Sequence, residues 1–232
     1  MGKTVGVNLN LNWRSYAAEF LGTFVFVLVS LGVLINKETF GDLDVLAVGL
    51  ATGLTYASMV FATIHTSGGH LNPVITLSLW FVRKIRSIDC LVYIMCQLLA
   101  GFLATFLLLF IFGNGIVDFS FGLVSGGQEV ILQKAVSVEA LMSAVLVFAY
   151  FSCIVYKRGP VSFGPLVLGF VVFSVYLFSF AVSGGVVNPA KALGPALVSG
   201  SYSELTAWIV GPLAGSLFAF VYDFLFLKKN HK

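Results

Sequence analysis

Charge is what this chain lacks most. Only 10% of its 232 residues are Asp, Glu, Lys or Arg, whereas 59% are hydrophobic and mean hydropathy is +1.00. A soluble domain carries about 25% charged residues, so a water-facing globular surface is excluded and a multi-pass membrane protein is implied. The net charge of +3 makes no case for nucleic acid as a partner. Cysteine is scarce as well. Cys90, Cys96 and Cys153 are odd in number, sit in or beside apolar runs and lack metal-ligand spacing, which favours core packing over a disulfide framework. No metal and no cofactor are expected. No nucleophile–base pair suggests an enzyme, and no Asn-x-Ser/Thr sequon is present. The first apolar run has no evident cleavage site after it and is expected to act as a signal anchor.

What is present is six apolar runs, near 15–35, 45–64, 90–112, 138–156, 161–181 and 205–227. Each approaches the roughly 17–25 residues needed to cross about 30 Å of hydrocarbon. The implied organisation is a polar tail over 1–14, one membrane domain over 15–227 and a basic tail over 228–232. Ten of the thirteen Lys and Arg residues fall in the two tails, the segment after the second run and the 157–160 turn. The remaining three, Lys37, Lys134 and Lys191, lie in the alternate loops. An excess of Lys and Arg marks cytoplasmic loops, so both termini are expected in the cytoplasm.

Two stretches answer each other: Ser67-Gly68-Gly69-His70-Leu71-Asn72-Pro73-Val74 and Ser183-Gly184-Gly185-Val186-Val187-Asn188-Pro189-Ala190. Asn is a preferred N-cap and Pro suits the first helical position, so each predicts a polar backbone segment opening a short helix. The residues that follow are too apolar for a solvent loop and too few to cross. Such segments enter the membrane and return only where their backbone faces protein or water. Further matches, Glu19 with Glu139 and Leu99-Ala100-Gly101 with Leu213-Ala214-Gly215, extend the echo over both halves. Three spans per half is an odd number, so the second half is inverted. The predicted fold is all-α: six transmembrane helices and two re-entrant half-helices in a three-plus-three inverted repeat, 15–112 and 138–227, joined by a loop over 113–137. Inverted repeats with broken helices meeting at the midplane are a transport architecture.

The chemistry of the paired motif follows. Each Asn oxygen can accept an N–H of its own helix, leaving its NH₂ to donate. A water between Asn72 and Asn188 accepts from both sides, and two half-helix N-termini add positive potential. A proton wire is interrupted there. Carbonyls of Gly68, Gly69 and His70, and of Gly184, Gly185 and Val186, supply acceptors along one wall. Gly22, Gly53, Gly101, Gly169 and Gly215 suit close helix contacts. His65 and His70 flank the first motif and are gating candidates, as pH switches or as hydrogen-bonded lining.

These residues carry a resemblance. His70-Leu71-Asn72-Pro73-Val74-Ile75-Thr76, Gly184-Gly185-Val186-Val187-Asn188-Pro189-Ala190, Gly194-Pro195-Ala196, Ala18-Glu19-Phe20-Leu21-Gly22-Thr23 and Gly211-Pro212-Leu213-Ala214-Gly215 resemble the aquaporin and glycerol-facilitator family over roughly residues 14–227. The resemblance implies a passive channel for water or small neutral solutes, assembled as a homotetramer with one pore per subunit. It implies a selectivity filter of Thr52, Tyr176, Gly185 and Lys191, and loop buttresses at Glu19 and Glu139. Proton carriage by those carboxylates is the transporter alternative, which the lack of other in-span charge disfavours.

Two departures bear on selectivity: Val74 stands where the family usually has Ala, and Lys191 where it usually has Arg. Lys is a compact charge on a flexible stem rather than a rigid fork. A wider filter for ammonia, hydrogen peroxide, urea or glycerol is one expectation, and a snorkelling Lys191 outside the pore is the other reading of that charge. Ala192 and Ala196 match water-type members, so water is expected first. A closed structural protein and an ion-coupled transporter are the other classes. The membrane is a plasma or an internal one.

Overall fold

The computed structural model describes residues 12–41, 43–117, 132–156 and 162–227. Expectations placed on 1–11, on 118–131 of the long loop, on the Lys157-Arg158 turn and on the 228–232 tail fall outside the described residues. Among the described residues all regular structure is helical, the outcome lipid favours because helices satisfy their own backbone.

Six helical spans appear: α1 (Trp13–Phe40), α2 (Val45–Ser67), α4 (Ser87–Phe112), α5 (Leu132–Tyr150), α6 (Gly164–Ser183) and a composite last span. The fourth span runs on from α5 through a π-helical turn, Phe151–Val155. The last consists of α8 (Leu205–Ser216), α9 (Phe218–Tyr222) and a π-helical end over Asp223–Leu227. Between spans two and three lies α3 (Pro73–Phe81), and between five and six lies α7 (Pro189–Ser199). At 1.5 Å per residue the nine residues of α3 reach about 14 Å, under half of the hydrocarbon thickness.

Boundaries differ from those read off hydropathy. α1 continues to Phe40, and residues expected in the 113–137 loop are helical from Leu132 onward. The physical reason is that hydropathy reports hydrocarbon depth. A helix keeps its hydrogen bonds into the headgroup zone, where Gln133, Lys134 and Ser137 are exposed.

The packing repeats about a pseudo-two-fold axis. α1 packs on α2 and α4, as α5 packs on α6 and α8; α7 packs on α4, as α3 packs on α8; α2 meets α6 between the halves. Large apolar side chains such as Phe61, Phe106, Phe110 and Phe178 face outward, while Glu19, Asn72, Gln97, Glu139, Asn188 and Lys191 are buried. This inside-out distribution suits lipid outside and polar chemistry within.

The crossings are backbone-close. A Cβ on Gly169 would lie 2.6 Å from the carbonyl oxygen of Gly53, and one on Gly215 would lie 2.5 Å from that of Ala140. A Cβ on Gly101 would overlap the carbonyl of Ala190 at the start of α7. Gly22 makes room for the Leu71 side chain of the first re-entrant loop and for Thr63 of α2. Gly101→Val is therefore expected to separate α4 from α7, at a cost of about 1–3 kcal/mol or more. The check is a lowered Tm and a reduced yield of monodisperse protein in detergent.

Candidate functional site

Two loops, 67–72 and 183–188, carry the site. Each begins where a spanning helix is stopped by a glycine. Gly68 (φ 95°) and Gly184 (φ 81°) are left-handed C-caps, and Gly69 (φ 64°) and Gly185 (φ 61°) extend the turn. The glycine pairs are thus left-handed, not extended. Only glycine adopts two such residues in succession without strain. Asn72 and Asn188 then cap the half-helices, accepting from Val74 N at 2.9 Å and Ala190 N at 3.0 Å. Pro73 and Pro189 take the first helical position.

Each loop is held from behind by one buried carboxylate. Glu19 accepts from Ser67 Oγ at 2.6 Å, His70 N at 3.0 Å and Leu71 N at 2.8 Å. Glu139 accepts from Ser183 Oγ at 2.6 Å, Val186 N at 3.0 Å and Val187 N at 2.7 Å. Gln97 adds a fourth donor to Glu19 at 2.8 Å, and Glu139 is attracted by the Lys191 ammonium. A trans peptide points C=O away from the following N–H, and among the described residues no peptide bond is cis. With the N–H groups of His70 and Leu71 on Glu19, the carbonyls of Gly69 and His70 face the opposite way. The same holds for Gly185 and Val186 relative to Glu139.

The loops meet nose to nose. Asn72 Nδ2 donates to Val187 O at 2.9 Å, and Asn188 Nδ2 donates to Leu71 O at 3.0 Å. The two residues that accept, Leu71 (φ 51°) and Val187 (φ 41°), are left-handed non-glycines. That conformation costs about 1–3 kcal/mol each and persists only where surroundings over-determine it; here it turns each carbonyl toward the opposite asparagine. One N–H of each amide is therefore used between the loops, and one remains to donate. The sequence expectation left both free.

Of the filter candidates, Tyr176 packs against Gly49 and Gly185, and the Lys191 Nζ sits 5.0 Å from the Tyr176 ring centroid. Lys191 is buried, not snorkelling outward. Thr52 lies one turn from Gly49 on α2 and is also buried; its Oγ1 and the Tyr176 hydroxyl have no hydrogen-bond partner among the described residues. Gly185 and Lys191 thus meet Tyr176 directly.

The two histidines part company. His70 is buried, its Nδ1 lies 3.1 Å from Thr76 Oγ1, and it borders a cavity of about 320 Å³ with Asn12, Ser67, Lys84, Asp89 and Tyr93. His65 is exposed on the last turn of α2 and is not brought to the loops. Among the carbonyl candidates, Gly68 O accepts from Tyr150 OH at 2.7 Å and His70 O from Tyr56 OH at 3.2 Å. Gly69, Gly184 and Val186 carbonyls have no side-chain donor among the described residues.

Sequence reasoning missed Tyr56, Tyr150 and Gln97, and the roles of Ser67, Ser183 and Thr76. The serines stood in matching frames, and Gln97 is a lone amide in an apolar run, a signal that was there to use. The buttress has a direct consequence. In Glu19→Gln one loop N–H faces an NH₂ instead of an acceptor, which costs about 1–3 kcal/mol. The variant is expected to lose folded protein, read as yield and Tm, with no new pH dependence of transport in what survives.

The sequence profile described as Major intrinsic protein matches residues 7–222. Aquaporin TIP4-4 of Zea mays is 36% identical over 225 residues, spanning 94% of this chain and 88% of that protein. Aquaporin Z of Photorhabdus laumondii is 31% identical over 231 residues, spanning 94% and 99%. The solved structure of the aquaglyceroporin from Plasmodium falciparum matches with a TM-score of 0.77 at 23% identity, covering 93% of this chain and 97% of that one. With the spans, the half-helices and the facing loops in place, the chain belongs to the major intrinsic protein family of multi-pass membrane channels.

Proposed function

We propose that this protein is a passive channel whose main cargo is water and which excludes protons and ions. The observation that carries the reading is the reciprocal bonding of Asn72 and Asn188 with the opposite loops. It sets both amides at one level, each with one N–H left over. A water arriving there accepts from both and turns its hydrogens along the passage. It cannot donate to a neighbour and accept from another at once, so a proton has no continuous wire. The N-termini of α3 and α7 add about half a positive charge each at the same point. Carbonyls facing away from Glu19 and Glu139 give the water acceptors before and after it.

Lys191, Tyr176, Thr52 and Gly185 form the outer filter in this reading. The buried ammonium repels cations, and the two unpartnered hydroxyls offer hydrogen bonds to what passes. Those hydroxyls also favour the second reading, a facilitator for ammonia, hydrogen peroxide, urea or glycerol. Water stands first because Ala192 and Ala196 keep the half-helix small and because two relatives bear the name aquaporin. We place both termini in the cytoplasm on the Lys and Arg distribution, and read the assembly as a homotetramer, one pore per chain. Glu19 and Glu139 serve as buttresses, since loop donors occupy their oxygens. His70 lines the inner passage.

Stopped-flow light scattering on liposomes holding the purified protein tests this. Water flux well above that of protein-free vesicles is expected, with proton flux at background. Equal ease for glycerol and urea supports the facilitator instead. Lys191→Gln removes the buried cation, and a proton or sodium leak is expected to rise about tenfold or more, the factor that 1.4 kcal/mol of lost repulsion represents. A pH-sensitive dye inside the vesicles reads it; an unchanged leak removes Lys191 from the filter.

A further inference from the structure

The two loops are built alike, yet one is capped and the other is not. The last carbonyl of each incoming helix is braced in both halves: Ser67 O by Tyr93 at 3.0 Å and Ser183 O by Trp208 at 2.7 Å. Beyond that point the symmetry fails. In the first loop Gly68 O and His70 O accept from Tyr150 and Tyr56. Their counterparts, Gly184 O and Val186 O, have no side-chain donor among the described residues. In the frame of the repeat, Val172 answers Tyr56 and Ser30 answers Tyr150. A valine and a serine stand where the first loop meets two phenols.

Tyr56 reaches the loop from the side away from Glu19. The N–H groups of His70 and Leu71 point at Glu19, so His70 O, which Tyr56 caps, points away from it. Tyr56 is one turn along α2 from Thr52, on the same face of that helix. Tyr150 comes from the opposite half of the molecule, on α5. Its ring stands edge-on to His70 at 6.0 Å between centroids, and the Tyr56 ring stands edge-on to Phe26 at 5.1 Å. Each tyrosine is 1% exposed. Two rings from two helices thus converge on the first loop, at the carbonyls of Gly68 and His70.

We propose that Tyr56 and Tyr150 form a second, inner constriction that sets the size limit of the channel. The outer filter has Thr52 and Gly185 beside Tyr176 and Lys191, and in this reading the inner pair of phenols is the narrower of the two. Each phenol hydroxyl donates to a loop carbonyl and keeps lone pairs that accept from a passing water. Water therefore keeps hydrogen-bonding partners along the capped wall, while the rings leave no room for a branched or three-carbon solute. The inference rests on the channel reading above and adds to it a molecular cut-off.

The test uses the full-length protein in liposomes, with water, urea and glycerol fluxes measured in parallel. The wild type is expected to pass water and exclude urea and glycerol. In the double variant Tyr56→Ala, Tyr150→Ala, urea permeability is expected to rise about tenfold or more. Tyr56→Phe and Tyr150→Phe keep the rings and so the fold; they remove one oxygen at the narrow point and free one carbonyl. Each is expected to keep the cut-off and raise water permeability about two- to fivefold, the factor one hydrogen bond represents. A wild type that already passes urea and glycerol overturns the inference. So do phenylalanine variants with unaltered water flux, or alanine variants with an unaltered cut-off, since packing alone would move only stability. No flux in the wild type or in any variant overturns the channel reading itself.

Discussion

A bare peptide group in the middle of a bilayer costs several kcal/mol unless something hydrogen-bonds to it. Six spanning helices avoid that cost, and two loops do not. The structure depends on how those loops are satisfied. Each hands its N–H groups to one buried carboxylate, Glu19 or Glu139. A carboxylate can only accept, so it sorts the loop: donors turn to the buttress and carbonyls turn to the interior. The wall of acceptors is a consequence of that sorting and of planar trans peptides.

The asparagines complete the same accounting from the other end. Leu71 and Val187 adopt left-handed conformations that leucine and valine disfavour, and their carbonyls are taken by Asn188 and Asn72. Neither loop holds this shape by itself. Each is strained in a way that only the other relieves, so the facing half-helices form one unit. The close glycine crossings, Gly53 with Gly169 and Gly101 with Ala190, let the surrounding helices come near enough to enforce it.

Within this symmetric frame the chemistry is lopsided. Glu19 and the first loop are surrounded by Gln97, Thr76, His70 and Tyr56 of the first half and by Tyr150 of the second. In the frame of the repeat the matching positions around Glu139 hold Gly211, Ala192, Val186, Val172 and, from the first half, Ser30, with Lys191 buried nearby. Duplication explains the common scaffold. Substitution within it gives the two ends of the passage different partners for whatever moves through.

Six spans, two half-helices and the inversion were legible in the amino-acid order, because hydrophobic length, Asn-Pro caps and repeated frames are local signals. So were the paired residues of the site, Asn72 with Asn188 and Glu19 with Glu139. The left-handed Leu71 and Val187 were not legible, since their own preferences argue against that backbone. Nor were the tyrosines, which in sequence are two aromatics among many. Tyr150 lies 82 residues from the carbonyl it caps, and the asparagines lie 115 and 117 residues from theirs. The chain by itself determined which segments could cross, dip and cap. Only tertiary structure decided which carbonyls stay open, because that depends on side chains arriving from helices the local pattern cannot place.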